Sequence, residues 1–176
     1  MKILIIAASP RKGSYTNRLA GFAYDYAKEK GADVDILDLE KTPLDPFRGY
    51  GEKYSKHTKD TIKAIKEKYQ PLIIASPVYD SGFSSALKNI FEHSNYKELK
   101  GKVAGFIIMA SGRISSLLVQ SQLVAMMDYF GIFSNPKAVH AAIEDFTGEE
   151  LTSEVIKERI KNLVDSSINM AEKLSG

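Results

Sequence analysis

Three apolar runs in this chain lack polar alternation: residues 2–8, 72–76 and 102–111. Such runs are the pattern of strands buried on both faces, as in a parallel sheet sheathed by helices. Residues 34–39 alternate instead, which places that strand nearer an edge. A weaker fifth strand is expected over 138–143, with Val139, Ala141 and Ile143 on one face. Between the strands the period changes to that of a helix. Leu19, Phe22, Ala23, Tyr26 and Ala27 form one stripe ended by Gly31, and Ile62, Ile65 and Tyr69 a second stopped by Pro71. Ala86, Leu87, Ile90 and Phe91 give a short helix capped by Ser84 or Ser85. Residues 117–130 are apolar nearly all round and stop at Gly131. Ile156, Ile160, Leu163, Val164, Ala171 and Leu174 line one face of a last helix, opposite Lys157, Glu158 and Lys161. Strands alternating with helices imply right-handed crossovers and one α/β domain over residues 1–176.

Composition narrows the partners more than the fold. At 176 residues, 44% hydrophobic and 26% charged, the chain is an ordinary soluble domain. A net charge of +2 with dispersed basic residues argues against nucleic acid. The absence of cysteine excludes disulfides, thiolate nucleophiles and cysteine-held clusters. The longest apolar run is far short of a membrane span, and the first residues enter a strand at once, so a cytoplasmic location without a signal peptide is expected. His57, His93 and His140 are scattered without metal-ligand spacing and read as surface or capping residues.

Candidate chemistry concentrates after the first strand, in Ser9-Pro10-Arg11-Lys12-Gly13-Ser14-Tyr15-Thr16-Asn17. A helix is expected to begin near Asn17. A strand, a short polar loop and a helix start make an anion site, because first-turn N–H groups and the helix dipole face the loop. Ser9, Ser14, Thr16, Asn17, Arg11 and Lys12 add donors, which suits a phosphomonoester. Neither the P-loop pattern nor the dinucleotide glycine fingerprint is present. The alternative is that Ser14 or Thr16 simply caps a helix.

In an open doubly wound sheet, ligands sit beyond the carboxyl ends of the strands, so the loops after strands one, three and four should share chemical character. The third-strand loop holds Pro77, Val78, Tyr79, Asp80, Ser81 and Gly82, where an aromatic and bare backbone suit a flat heteroaromatic ring. Gly82 is expected to permit close backbone approach. The fourth-strand loop, Ser111-Gly112-Arg113, is rich in backbone donors. The long connection over residues 40–57, with Tyr50 and Tyr54, reads as a ligand cover, a subunit contact or a solvated excursion.

On these residues the chain resembles the NADPH-dependent FMN reductase family of flavodoxin-like proteins over roughly residues 1–143. The resemblance is carried by Ala8-Ser9-Pro10-Arg11-Lys12-Gly13-Ser14, by Ala75-Ser76-Pro77-Val78-Tyr79 followed by Ser84-Ser85-Ala86-Leu87-Lys88-Asn89, and by Leu99-Lys100-Gly101-Lys102-Val103. It is nearest to the reductases that supply reduced FMN to alkanesulfonate monooxygenases. The resemblance implies a flavodoxin-like three-layer sandwich, with a five-stranded parallel sheet in the order 2-1-3-4-5 and helices on both faces. It implies that Ser9, Arg11, Ser14, Thr16 and Asn17 hold the FMN phosphate, residues 77–82 one side of the isoalloxazine, and residues 111–113 its pyrimidine end.

Departures from many relatives are Ala8 in place of glycine, Val78 and Asp80 in place of glutamate and asparagine, and Arg113 beside Gly112 in place of paired glycines. The implied reaction is hydride transfer from the C4 of NADPH or NADH to flavin N5. Backbone N–H groups over residues 111–113 would oppose the charge that develops, and no proton-transfer residue is required. Implied partners are the flavin, the pyridine nucleotide, a flavin-dependent monooxygenase, and further copies of the chain in a homodimer or homotetramer. The apolar girth of residues 117–130 points to the same assembly. Rival readings are a reductase of quinones, azo compounds or chromate that keeps its FMN, and a flavodoxin-like carrier without pyridine-nucleotide activity. A response-regulator receiver ranks last, for want of an acidic cluster after strand one.

Overall fold

The computed structural model describes residues 1–175, with Arg113 described by its backbone alone. Strand β1 (Lys2–Ala7) leads to α1 (Tyr15–Glu29), β2 (Val34–Asp38), α2 (Lys56–Glu67), β3 (Tyr69–Pro77), α3 (Ser85–Glu92), β4 (Val103–Ala110) and α4 (Arg113–Tyr129). Then follow β5 (Phe133–Ser134), β6 (Val139–Ala142), a single 3-10 turn (Ile143–Asp145), the hairpin β7 (Phe146–Thr147) and β8 (Glu150–Leu151), and α5 (Glu154–Ser175). The sheet is parallel in the order β2-β1-β3-β4, and β5 and β6 both pair with β4. The fifth position is therefore one strand in two pieces, and the order implied by the resemblance stands.

Each strand sorts its side chains by parity. Leu4, Ile6 and Ala8 face α2, α3 and α4 through Ile62, Ile65, Leu87, Phe91, Val119 and Leu123. Ile3, Ile5 and Ala7 face α1 and α5 through Leu19, Ala23, Ile156, Ile160 and Leu163. The approach of α5 is close: a Cβ on Gly105 would lie 2.8 Å from Ser167 Oγ and 3.1 Å from Ile73 Cδ1. Only glycine fits there without movement.

Three expectations need correction. Tyr69 opens β3 rather than closing the preceding helix, and Pro71 lies inside that strand. The β1–β3 ladder shifts register between Lys2 and Leu4, close to Pro71, which has no N–H to give. Ile143 belongs to the 3-10 turn and is exposed, so it does not share the buried face of Val139 and Ala141. Leu174, in the last turn of α5, is also exposed, and the buried stripe ends at Ala171.

Candidate functional site: the carboxyl edge of the sheet

The loop after β1 is built around Ser9, which is fully buried. Its Oγ lies 2.9 Å from the Tyr79 hydroxyl and accepts a hydrogen bond from the Arg11 amide at 3.3 Å. Ser84, the N-cap of α3, donates its hydroxyl to the Ala8 carbonyl, tying the same loop to the third helix. Gly13 has φ +65°, where a side chain would be strained, so the glycine between Lys12 and Ser14 is what lets the loop turn into the helix. Ser14 is the N-cap of α1 and accepts from Thr16 N at 3.2 Å. The helix thus begins at Tyr15, two residues earlier than its apolar pattern suggests, and capping and cradle geometry coexist in one loop.

Asn17 is turned away. Its Nδ2 donates to Ser9 O at 3.2 Å, and lies 3.3 Å from Asp38 Oδ1 and 3.5 Å from Glu40 Oε2. This amide ties the first loop to the end of β2, and the partners it already has compete with any phosphate.

After β3 the chain makes a two-residue turn. Tyr79 and Gly82 exchange backbone hydrogen bonds of 2.8 Å in each direction. Asp80 (φ 48°) and Ser81 (φ 65°) occupy the central, left-handed positions, the pattern of a type I′ hairpin. The left-handed positions thus fall on Asp80 and Ser81, and Gly82 is not one of them. A Cβ on Gly82 would meet Tyr79 O at 3.6 Å and Gln122 Oε1 at 3.8 Å, ordinary contacts that require no glycine. Left-handed non-glycine residues cost roughly 1–2 kcal/mol each. Part of that is offset by Gln122 of α4, whose Nε2 donates to Ser81 O at 3.0 Å. Tyr79 is half-buried, with the Arg11 guanidinium 5.9 Å from its ring centroid. Tyr79 therefore joins the first loop to the third through both its hydroxyl and its ring face.

The end of β4 is of a different kind. Gly112 is the N-cap of α4 with φ −144° and ψ 148°, and no side chain caps it among the described residues. The first-turn N–H groups at 113–115 have no partner within the helix. They are left at the carboxyl end of β4 with the positive end of the helix dipole.

These loops enclose a cleft of about 270 Å³. Of the residues singled out in the sequence, Arg11, Ser14, Thr16, Pro77, Val78, Tyr79 and Ser111 line it. Ser9 lies beneath it, while Asn17, Asp80, Ser81, Gly82 and Gly112 are not part of its wall; the side chain of Arg113 lies outside the described residues. Lys12, Gly13, Tyr15, Met109, Ala110 and Ile143 also line it. Tyr15 was legible from the cap at Ser14. Ile143 follows β6, whose strand the sequence marks but whose place beside this cleft it does not. The hairpin following it packs Phe146 on Tyr15 (ring centroids 4.6 Å apart), accepts the Tyr15 hydroxyl at Gly148 O, and pairs Glu149 with Arg18 at 2.8 Å.

The residues of the 40–57 connection lie elsewhere. Asn89 bonds Phe47 N and Asp45 O, and His93 lies 2.9 Å from Asp45 O, pinning the connection to α3 away from the cleft. His57 is exposed, as expected. His140 is neither a surface nor a capping residue, since its ring is held between Ser116 Oγ and Gln120 Oε1, each at 2.8 Å. Burial, reinforced by Arg159, holds its pKa below the ordinary 6.5.

The chain matches the family model described as NADPH-dependent FMN reductase over residues 1–145. It is 34% identical over 136 residues to an FMN-dependent NADPH-azoreductase of Staphylococcus haemolyticus, covering 75% of this chain and 72% of the relative. The corresponding azoreductase of Staphylococcus aureus is 30% identical over 154 residues, covering 85% and 81%. Among solved structures, an oxidoreductase from Corynebacterium diphtheriae superposes with a TM-score of 0.80 at 18% identity, covering 98% and 97%. The flavoenzyme NAD(P)H:(acceptor) oxidoreductase FerB of Paracoccus denitrificans gives 0.78 at 19% identity, with the same coverage. The structural likeness establishes the flavodoxin-like fold, and the sequence matches carry the family. The chain belongs to the NADPH-dependent FMN reductase family and is an NAD(P)H-dependent flavin oxidoreductase that uses FMN.

Proposed function

We propose that the cleft at the carboxyl ends of β1, β3 and β4 is where this reductase holds FMN, with the phosphate toward Arg11, Lys12, Ser14 and Thr16. The observation that carries this reading is the convergence of two exposed cations, the hydroxyls and the αL turn at Gly13 on one cleft whose other side is Met109, Ala110 and Ser111, just before the uncapped start of α4. That donor set fits a terminal phosphate at one end and a polar ring edge at the other. Bound there, FMN would supply the chemistry of taking hydride from the nicotinamide and handing the electron pair to an acceptor. The chain's own part is to orient and to screen. Arg11 and Lys12 neutralise the phosphate, the Tyr79–Gly82 turn fixes one wall, and the N–H groups at 113–115 oppose negative charge at the ring's pyrimidine end. No side chain is asked to move a proton. At about 270 Å³ the cleft is below the usual span of pockets that enclose a whole cofactor.

A second copy of the chain would complete it. α4 buries Val119, Leu123 and Met127 but exposes Ile114 (87%), Leu117 (57%) and Leu118 (50%), an apolar stripe that supports a homodimer or homotetramer. The names of the staphylococcal relatives support an azo compound as acceptor. A second reading, release of reduced FMN to an alkanesulfonate monooxygenase, is favoured by the Pro77-Val78-Tyr79 loop leading into Ser85-Ala86-Leu87-Lys88. Anaerobic titration of purified protein with FMN and then NADPH, followed by visible spectra, tests the site: a perturbed flavin spectrum that bleaches with NADPH is expected. Steady-state rates with an azo dye against free FMN then separate the acceptors. Sedimentation equilibrium showing a monomer at micromolar concentration would remove the assembly.

A further inference from the structure

His140 stands on β6 beside Ile108 of β4, one register step below the pair Met109 and Ala141. Its neighbours Val139 and Ala141 point into the core shared with α1 and α5, so His140 points to the other face, toward α4. Packing alone would be met by an apolar residue at that place. Instead both ring nitrogens are engaged, with Ser116 and with Gln120 one turn further along α4. The Gln120 oxygen only accepts, so Nε2 carries the proton and Nδ1 accepts from the Ser116 hydroxyl. Ser116 is fully buried and sits in the same helical turn as the N–H groups that have no partner within the helix. That turn has no side-chain cap among the described residues, so its placement depends on tertiary bonds. Gln122, reaching Ser81, is a second tether, and it ties α4 to the turn after β3.

We propose that His140 is a positioning residue for this reductase: through Ser116 and Gln120 it sets where the first turn of α4 presents its N–H groups at the carboxyl end of β4. The proposal rests on the reading that the pyrimidine end of FMN meets that turn. A misplaced donor row discriminates between oxidation states, because the charge it opposes is present chiefly when FMN is reduced.

The test uses His140→Leu, Ser116→Ala and the double variant as FMN-loaded protein, measuring the two-electron midpoint potential and the affinity for oxidised FMN. In His140→Leu, reduced FMN should bind about tenfold more weakly and oxidised FMN nearly as before, which moves the potential about 30 mV more negative. Ser116→Ala should move it in the same direction, and the double variant no further than His140→Leu, because the two residues act through one contact. In the apoprotein, amide exchange at 114–116 should quicken in both single variants. An unchanged potential in folded single variants, or additive shifts in the double variant, overturns the proposal. Should His140→Leu fail to fold, Ser116→Ala carries the same test. Arg11→Ala separates the two levels. If it weakens FMN binding while the potentials stay unmoved, only the positioning role fails; if FMN is indifferent to it, the flavin site and the positioning role fail together.

Discussion

Two helices begin at the carboxyl edge of the sheet, and they begin differently. α1 has a complete local start: a left-handed glycine, a serine cap that takes Thr16 N, and two cations in the preceding loop. α4 starts at a bare glycine and is set in place by residues far away in sequence, His140 from β6 and Ser81 from the third-strand turn. A cap uses up a donor that a ligand could have taken. The capped end therefore depends more on side-chain charge, while the uncapped end keeps its backbone donors free. A permanently charged group such as a phosphate is matched by the first kind of end. Charge that appears only during turnover is better met by the second.

The comparison can be broken most sharply at Arg11. Arg11→Ala should weaken FMN by about ten- to a hundredfold, the worth of one charge-assisted contact at roughly 1.5–3 kcal/mol, while riboflavin should scarcely notice. Equal losses for both flavins in a calorimetric titration would show that α1 does not read the phosphate. Ser14→Ala removes the cap and should lower stability by about 1 kcal/mol in a denaturant melt. Tyr79→Phe, which loses the hydroxyl bond to Ser9, should cost a comparable amount or somewhat less. Its FMN affinity should follow the loosening of the first loop, and a variant with normal stability and normal affinity would deny Tyr79 its role as the tie between loops.

At the other helix the sign reverses. Gly112→Ser supplies the missing cap in extended backbone, where a new Cβ meets nothing within 4 Å among the described residues. Stability should rise by a few tenths of a kcal/mol, yet anaerobic reduction by NADPH should slow, because the cap occupies a donor. A faster reduction would contradict the proposed use of those N–H groups. The smallest effect is a slope. The His140 pKa is depressed, so the stability it contributes is present above the ordinary 6.5 and is lost as pH falls through the folded value. His140→Leu should flatten that acid-side loss in melts taken between neutral and mildly acidic pH, and an unchanged slope would assign the loss to other groups.

The donors at the start of α1 are legible in the sequence, and the clamp on α4 is not, for a physical reason. The donors of residues 9–16 are contiguous, and their spacing is itself the signal. The clamp at His140 joins positions 20 and 24 apart, so His140 looked like a stray surface residue until β6 was folded beside α4. The continuous runs of β1, β3 and β4 fixed the sheet because burial on both faces leaves no polar positions to blur the pattern. Tyr69 was misplaced for the opposite reason: it lies four residues after Ile65, on the helical stripe, but β3 recruits it across the boundary. The resemblance gives Asn17 to the phosphate, and the bonds of its amide to Ser9 and Asp38 depend on the end of β2, which the loop sequence does not show.

The order in which the sheet gains its coverings also follows from the chain. α5 comes after every strand, yet it supplies Ile156, Ile160, Leu163 and Val164 to the face where Ile73 and Ile107 lie. On the ribosome that face has only α1 to shelter it until the final helix clears the exit tunnel, while the α2–α4 face can close earlier. The nascent chain therefore carries a half-clad sheet for a stretch of its synthesis, and α5 is the segment whose arrival ends that exposure.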